Sequence, residues 1–345
     1  MSFKVKVNKI RSKIMRGLTR NIGKSSAAKY SKNQNLEIKR ILISRPNDRL
    51  GNLLLITPLV QEVTAICPNC KIDLFVRGNL APIIFKNYTN IDRIIRLPKK
   101  PFRQLPAYIF KWFQLKSKKY DLVINVIKNS SSGRLSTLVA TSKIKFFGDD
   151  FDESATEHMA KYPVYNLRKF LSIEGCNIVN MNVPLLDIKL SEEEKAEGKK
   201  ALDAIAPQPE KETICLFTNA TGGKKLSVGW WETFYTKLQE NFPGYNIVEA
   251  LPIENTSQID FKAPSYYTRD IRELGAFISN CRLFIGADSG VMHLASAAQT
   301  TTVGLFKAAN AEMYTPYGNG SDYVNVCDNS VEDVVTAVKS ILTIS

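Results

Sequence analysis

The chain has 345 residues, which is long for one globular domain and sufficient for two. Hydrophobic residues make up 44% and charged residues 23%, the ordinary balance of a soluble globular protein. No apolar run approaches the roughly 20 residues that span a bilayer, and the N-terminus lacks the apolar core of a secretory signal. Because the six cysteines are scattered and form no disulfide pattern, we expect a protein of the reducing cytoplasm.

The net charge of +14 is concentrated at the N-terminus. Residues 1–40 hold twelve lysines and arginines against one acid, and the remaining residues carry only +3. Such a basic leader favours a polyanionic neighbour, and its weak apolar face is typical of an interfacial helix on a membrane. A solvated, disordered tail is the alternative. A nucleic-acid partner is suggested by charge alone, and we expect none.

Beyond residue 38 the hydrophobic pattern alternates between short buried strands and helices. The first series predicts strands over 41–44, 72–76, 93–97, 122–126 and 144–147, and helices over 53–66, 81–85, 106–116, 134–140 and 164–174. An extended stretch then leads to Ser191-Glu-Glu-Glu, a capped helix start. The second series predicts strands over 214–218, 247–251, 283–285 and 302–306, and helices over 230–240, 269–280, 292–298 and 331–342.

Two successive series of this kind predict an α/β fold. Each series forms a doubly wound, Rossmann-like domain, and the two domains face each other across a cleft. We divide the chain into a basic leader at 1–38, an N-terminal domain at 39–187 and a C-terminal domain at 188–345.

The first strand leads into a glycine turn and a helix, in which Asp48, Gly51 and Asn52 precede Pro58. A turn in this position places Asp48 and Asn52 at the mouth of the cleft. It lacks the three-glycine dinucleotide fingerprint, so a nicotinamide cofactor is not expected, and we predict no cofactor of any kind. The alternative is an ordinary strand–helix turn in which Asp48 caps the helix.

Two further features of the N-terminal domain are polar or basic. A loop after the fourth strand faces the same cleft and is suited to an acceptor phosphate or carboxylate. Its polar and charged side chains are Lys128, Asn129, Ser130, Ser131, Ser132 and Arg134. Basic and aromatic residues alternate over 99–119, which suits an anionic glycolipid at a membrane face. An amphipathic helix that buries these aromatics in the core is the alternative.

The most informative stretch is 284–298, where an apolar strand ends at Gly286 and a helix begins after Asp288, Ser289 and Gly290. The first turn of a helix has free N–H groups and a positive dipole end, which together bind anions. His293 lies in that turn and is placed to donate a hydrogen bond to the same anion. Alternatively, Asp288 or Ser289 only caps the helix and His293 is a core residue.

Together the two glycine turns resemble glycosyltransferase family 9, the ADP-heptose:lipopolysaccharide heptosyltransferases and their relatives. That family opens with Arg-x-Asp-x-x-Gly-Asp and a later proline, a spacing that Asp48, Gly51, Asn52 and Pro58 keep. Near its end it carries Gly-x-Asp-Ser/Thr-Gly-x-x-His-x-Ala-x-Ala before a strand ending in Leu-Phe. The corresponding residues here are Gly286, Asp288, Ser289, Gly290, His293, Ala295, Ala297, Leu305 and Phe306. A partial third match runs from Phe217 and Thr218 through Lys224 and Lys225 to Trp230 and Trp231.

The resemblance implies a GT-B architecture with the acceptor on the N-terminal domain and the sugar nucleotide on the C-terminal one. It implies an inverting, metal-independent transfer of a sugar, with heptose from ADP-heptose as the expected donor. The acceptor would be an anionic glycolipid or another cell-envelope glycan, and the protein would lie at the cytoplasmic face of the inner membrane. The donor-binding residues would be Thr218, Lys224, Lys225, Glu254, Asp288, Ser289, Gly290 and His293. From their charge and position alone, we expect the residues of the polar loop, Lys128, Ser130, Ser132 and Arg134, to bind the acceptor.

The sequence departs from the family at the catalytic base. The family has an aspartate where this chain has Asn52, and an amide cannot take a proton from an acceptor hydroxyl. Asp48, on the same turn, is the substitute that we predict as the base. Alternatively, Asn52 only orients the acceptor, or the chain is impaired. Arg45 is one residue too far from Asp48 to match the family's arginine. Two other functions compete with this one. The first is transfer from another sugar nucleotide on the same fold, and the second is non-catalytic binding of a sugar nucleotide or a glycan.

Overall fold

The computed structural model describes residue 17 and residues 22–25, 38–100, 103–149, 157–173, 182–307 and 311–344. Most of the predicted basic leader therefore lies outside the described residues. Within them, two parallel sheets with surrounding helices form the architecture. The exact domain boundaries at residues 38 and 187 stay predictions.

The first sheet contains five parallel strands with helices between them. Its strands are β1 (Arg40–Arg45), β2 (Lys71–Arg77), β3 (Ile91–Leu97), β4 (Lys119–Asn125) and β5 (Thr141–Phe146). Its helices are α1 (Leu50–Leu54), α2 (Thr57–Ile66), α3 (Ala81–Ile84), α4 (Leu105–Lys116), α5 (Ser131–Val139) and α6 (Tyr162–Ile173). The strand order is β3-β2-β1-β4-β5. The central β1 is an almost continuous apolar run because helices cover both of its faces.

The second sheet contains six parallel strands. Its strands are β6 (Thr213–Phe217), β7 (Asn246–Ala250), β8 (Ser265–Tyr266), β9 (Leu283–Ala287), β10 (Thr302–Phe306) and β11 (Asp322–Asn325). Its helices are α7 (Glu192–Asp203), α8 (Val228–Asn241), α9 (Ile271–Ser279), α10 (Gly290–Ala297) and α11 (Val331–Ile344). The strand order is β11-β10-β9-β6-β7-β8. Two doubly wound parallel sheets are the fold that the sequence predicts.

Most of the predicted elements are confirmed, and the helix at 53–66 is the informative difference. The structure divides it into α1 and α2, because Pro58 has no N–H to donate to the helix ladder. The Thr57 hydroxyl instead donates to the Leu54 carbonyl at 2.8 Å and holds the break together. The capped start of α7 is confirmed, since Ser191 and Glu194 exchange side-chain to backbone hydrogen bonds.

The two sheets share part of one hydrophobic core. A single cluster of buried side chains includes Ile43 on β1 and Phe284 on β9, and it continues through the α10 residue Leu294. Arg272 of α9 adds polar contacts, because its guanidinium donates to the Ile83 carbonyl of α3 at 3.2 Å and binds Glu194. The two halves of the chain therefore make both apolar and polar contacts with each other.

Candidate active site

The strand orders place most of the predicted site residues at two equivalent points. In each sheet the winding reverses once, between β1 and β4 in the first and between β6 and β9 in the second. Ligands of doubly wound sheets bind outside the carboxyl ends of the strands at such a point. Every predicted site residue except Glu254 follows one of these four strands. Glu254 follows β7 and is exposed.

The turns after β1 and β9 touch each other across the cleft. A methyl group on Gly51 would lie 2.6 Å from the Cδ2 atom of His293, and one on Gly290 would lie 3.1 Å from the Leu50 Cβ. Both distances are shorter than ordinary contacts, so these glycines permit the close approach of two backbones. The contact brings the Asn52 turn and the His293 turn into one site.

The turn after β9 combines a helix cap with an ion pair. Ser289 is the N-cap of α10, and its hydroxyl accepts from the Met292 N–H at 3.3 Å. Capping by Ser289 is therefore correct, whereas Asp288 has another role. The buried Asp288 carboxylate lies 2.6 Å from the Lys224 ammonium, which also sits 5.7 Å from the centre of the Tyr314 ring. Asp288 thus fixes a cation beside the N-terminus of α10.

His293 is buried with 5% of its surface exposed and has no hydrogen-bond partner among the described residues. Burial lowers its pKa to about 3, and the nearby charges of His158 and Lys224 act in the same direction. The imidazole is therefore neutral at pH 7, with one N–H that it can donate and one nitrogen that can accept.

A buried acid on β7 was missed by the sequence analysis. Glu249 accepts hydrogen bonds from the hydroxyls of Thr218 and Ser257, each at 2.6 Å. Burial raises the pKa of Glu249 above its ordinary range, although these hydroxyls act to lower it. The Thr218 hydroxyl is therefore engaged inside the protein rather than free for a phosphate. A lone acid within the apolar run 246–250 was the signal in the sequence.

The turn after β1 presents an amide and a carboxylate to the cleft. Asn52 Oδ1 accepts from the Arg45 Nη2 at 3.0 Å, and Asn52 Nδ2 donates to Asn47 Oδ1 at 3.3 Å. The N-cap of α1 is Arg49, without a side-chain hydrogen bond, so Asp48 does not cap this helix. A methyl group on Gly78 would lie 3.2 Å from the Asp48 Cβ and 2.8 Å from the Lys99 Cε, so Asp48 and Lys99 lie beside the turn that follows β2.

Arg45 is a second residue that the sequence does not predict to belong to the site. It ends β1, and burial lowers its pKa to about 10, while the Tyr314 hydroxyl from the other sheet acts to raise it. In the described part of the chain its guanidinium has no acidic partner; its one side-chain hydrogen bond goes to Asn52. A largely desolvated cation without a counter-ion is suited to contact an anionic ligand.

Comparison with known proteins agrees with this geometry. The model of glycosyltransferase family 9 (heptosyltransferase) matches residues 268–339, which include the turn after β9. Lipopolysaccharide heptosyltransferase 3 of Escherichia coli K12 is 23% identical over 300 residues, or 77% of this chain and 82% of that protein. These matches indicate a glycosyltransferase that resembles family 9.

Solved structures of family 9 glycosyltransferases have the same fold as this chain. A family 9 glycosyl transferase from Veillonella parvula DSM 2008 superposes with a TM-score of 0.73 at 19% identity, covering 91% of this chain and 100% of that one. The E. coli heptosyltransferase WaaC with ADP superposes with a TM-score of 0.64 at 14% identity, covering 88% and 99%. The architecture is therefore GT-B, as predicted.

The residues of the loop after β4, which the sequence predicts to bind the acceptor, have different roles in the structure. Ser130 caps α5, Ser132 is half-buried, and Lys128 is exposed. Arg134 is buried and donates to the Ile22 carbonyl at 3.1 Å and to Asp149 at 3.2 Å. The structure does not support Arg134 as an acceptor ligand, because its guanidinium holds residues 22–25 onto the end of β5.

The remaining predicted residues lie near the surface. Lys225 is exposed, and its carbonyl accepts from Lys307 at 3.2 Å.

Among the residues that the structure describes, no three histidine, cysteine, aspartate or glutamate side chains are grouped to hold a metal ion. Within the same residues, no helix is both long enough and apolar enough to cross a bilayer.

Proposed function

We propose that this glycosyltransferase transfers heptose from ADP-heptose to an anionic lipopolysaccharide-type acceptor, with inversion and without a metal ion. The observation that carries the proposal is the meeting of Lys224, His293 and Arg45 around Tyr314, beside the N-terminus of α10. The names of similar proteins support the donor. They include a lipopolysaccharide heptosyltransferase and WaaC solved with ADP and with ADP-2-deoxy-2-fluoro heptose.

The second domain supplies the donor site in this proposal. The free N–H groups at the start of α10 face the diphosphate, and the Lys224 ammonium adds a positive charge that Asp288 orients. The N–H of neutral His293 donates to a sugar or phosphate oxygen. These groups stabilise the negative charge that develops on the departing diphosphate, which is the main electrostatic task of the reaction.

The first domain supplies the acceptor side. An acceptor hydroxyl oxygen attacks the anomeric carbon from the face opposite the diphosphate, and the bond from that carbon to the diphosphate breaks. ADP leaves with the electron pair, and Asp48 takes the hydroxyl proton as general base. Asn52, held by Arg45, orients the acceptor. The acceptor's own phosphate or carboxylate lies near Lys128, Ser130 and Ser132.

Donor identity is tested by thermal stability in the presence of nucleotides. ADP and ADP-heptose should raise the melting temperature, while UDP-sugars at the same concentration should not. Transfer is then measured as ADP release and mass gain on heptose-deficient lipopolysaccharide. Stabilisation by a UDP-sugar with no response to ADP would show another donor on the same fold. Stabilisation by ADP-heptose without turnover on any glycolipid would reject the acceptor. We place the reaction at the cytoplasmic face of the inner membrane.

A further inference from the structure

Helix α4 exposes an apolar face that no other described part of the chain covers. Four of the nine large hydrophobic side chains that are exposed in the described residues lie on this helix: Leu105, Ile109, Phe110 and Phe113, with exposures of 46–65%. The rest of the exposed set is spread over several elements. Clusters of this size on a soluble domain mark an interaction surface rather than ordinary surface variation.

The opposite face of α4 is an ordinary core face, so the exposed face is not a result of poor docking. Tyr108, Trp112 and Leu115 repeat with helical spacing and point inward. The Trp112 ring meets Phe75 of β2 edge-on at 5.3 Å, and Leu115 is fully buried. The helix is therefore fixed on its sheet, and its aromatic residues divide between the core and the solvent.

The charge around this face selects the partner. Residues 93–120 contain nine lysines and arginines and no aspartate or glutamate. Arg103 precedes the helix, Lys116 ends it, and both are exposed. An apolar helix face with a cationic rim matches the interface of an anionic bilayer, where the rings enter the acyl boundary and the cations meet the headgroups.

We infer that the outward face of α4 docks this enzyme on an anionic lipid bilayer, with Phe110 and Phe113 inserted into the interface. The location agrees with the proposed reaction, on which this inference builds. Lys99, which flanks Gly78 beside Asp48, lies six residues before the helix begins. A bilayer under α4 would therefore lie near the acceptor side of the cleft, where a glycolipid headgroup must enter.

The test is co-sedimentation of the full chain with vesicles of phosphatidylcholine, with and without roughly one third phosphatidylglycerol. The double variant Phe110→Ser/Phe113→Ser should bind the anionic vesicles about tenfold more weakly, since two exposed rings no longer leave water. Arg103→Gln/Lys116→Gln should weaken binding at low salt and should show less salt dependence than the wild type. The control Ile253→Ser/Phe261→Ser removes two equally exposed apolar residues from the second domain and should bind normally.

Three results would overturn the inference. The first is unchanged vesicle binding by Phe110→Ser/Phe113→Ser, and the second is equal wild-type binding to neutral and anionic vesicles. The third is conversion of an oligomer to a monomer by this variant with vesicle binding intact, which would make the face an interface between copies. The assay needs neither donor nor acceptor, so failure of heptosyl transfer leaves the docking result interpretable. Transfer to a soluble acceptor fragment should be unchanged in both α4 variants.

Discussion

The imidazole of His293 lies against the backbone of Gly51, so the turn after β9 and the turn after β1 meet at a point without a side chain. A methyl group at residue 51 would approach the His293 Cδ2 to 2.6 Å, well inside contact distance. A glycine is therefore required at residue 51 by this close contact, and not by an unusual backbone conformation. Substitution of Gly51 should lower both the stability and the activity of the protein.

We therefore predict that Gly51→Ala lowers kcat/KM at least about tenfold, because even a small displacement of His293 misplaces the donor. Activity and melting temperature are measured on Gly51→Ala and on Gly229→Ala, a helix glycine where an added methyl group would contact no other part of the protein. Alanine favours helices, so the control should be neutral or slightly stabilising. Equal behaviour of the two variants would contradict the contact.

A second prediction follows from the lowered pKa of His293. The ring has a pKa of about 3 in the folded protein against an ordinary 6.5, so between these values the unfolded chain binds a proton that the folded one does not. Its contribution to stability is complete above pH 6.5 and is lost as the pH falls towards 3, by up to about 1.4 kcal/mol per pH unit.

His293→Gln removes this titration, so its free energy of unfolding should fall less steeply than that of the wild type between pH 6.5 and 4, a window set by the His293 shift. Denaturant unfolding at several pH values measures both slopes. His158, the other histidine, also has a lowered pKa and is present in both proteins. Parallel slopes would contradict a lowered pKa of His293 in the folded protein.

The third prediction distinguishes two adjacent lysines. Lys224→Met should raise the KM for the donor by roughly 10- to 100-fold, the value of a hydrogen bond to a charged group. Lys225→Met should stay within about twofold, because its side chain is exposed and Asp288 binds Lys224 instead. The measurement is initial rate against donor concentration for both variants. A larger effect from Lys225 would move the phosphate site away from Asp288.

The sequence predicts most of the strands and the turns that follow them, since apolar runs and glycine turns are local signals. It misses β8 and β11, because two to four partly exposed residues at a sheet edge leave little periodicity. The break between α1 and α2 follows from Pro58. This proline is present in the sequence, but the helical pattern of apolar residues on both sides of it predicts one continuous helix. Contacts between side chains are harder to predict from the sequence. Arg45 and Glu249 matter through what surrounds them, and those neighbours come from distant parts of the chain.

The last prediction concerns the base. Asn52 cannot take the acceptor proton, and its Oδ1 already accepts from Arg45. Asp48 lies on the same turn and makes no side-chain hydrogen bond within the described residues, so its carboxylate is available to an acceptor. We predict that Asp48→Asn lowers kcat by about 10²–10⁴-fold, the usual share of general-base catalysis. Donor affinity and melting temperature should be unchanged, since Asp48 does not cap α1.

Asn52→Asp provides the matched comparison for this base. A carboxylate at residue 52 would face the Arg45 guanidinium, which has no other acidic partner in the described chain, so the variant should fold normally and keep or raise activity. The double variant Asp48→Asn/Asn52→Asp should recover part of the lost rate, because it restores one carboxylate to the turn. If Asp48→Asn turns over normally, Asp48 is not the base. If Asp48→Asn is inactive but also melts early, the loss is structural, and the double variant should then recover nothing.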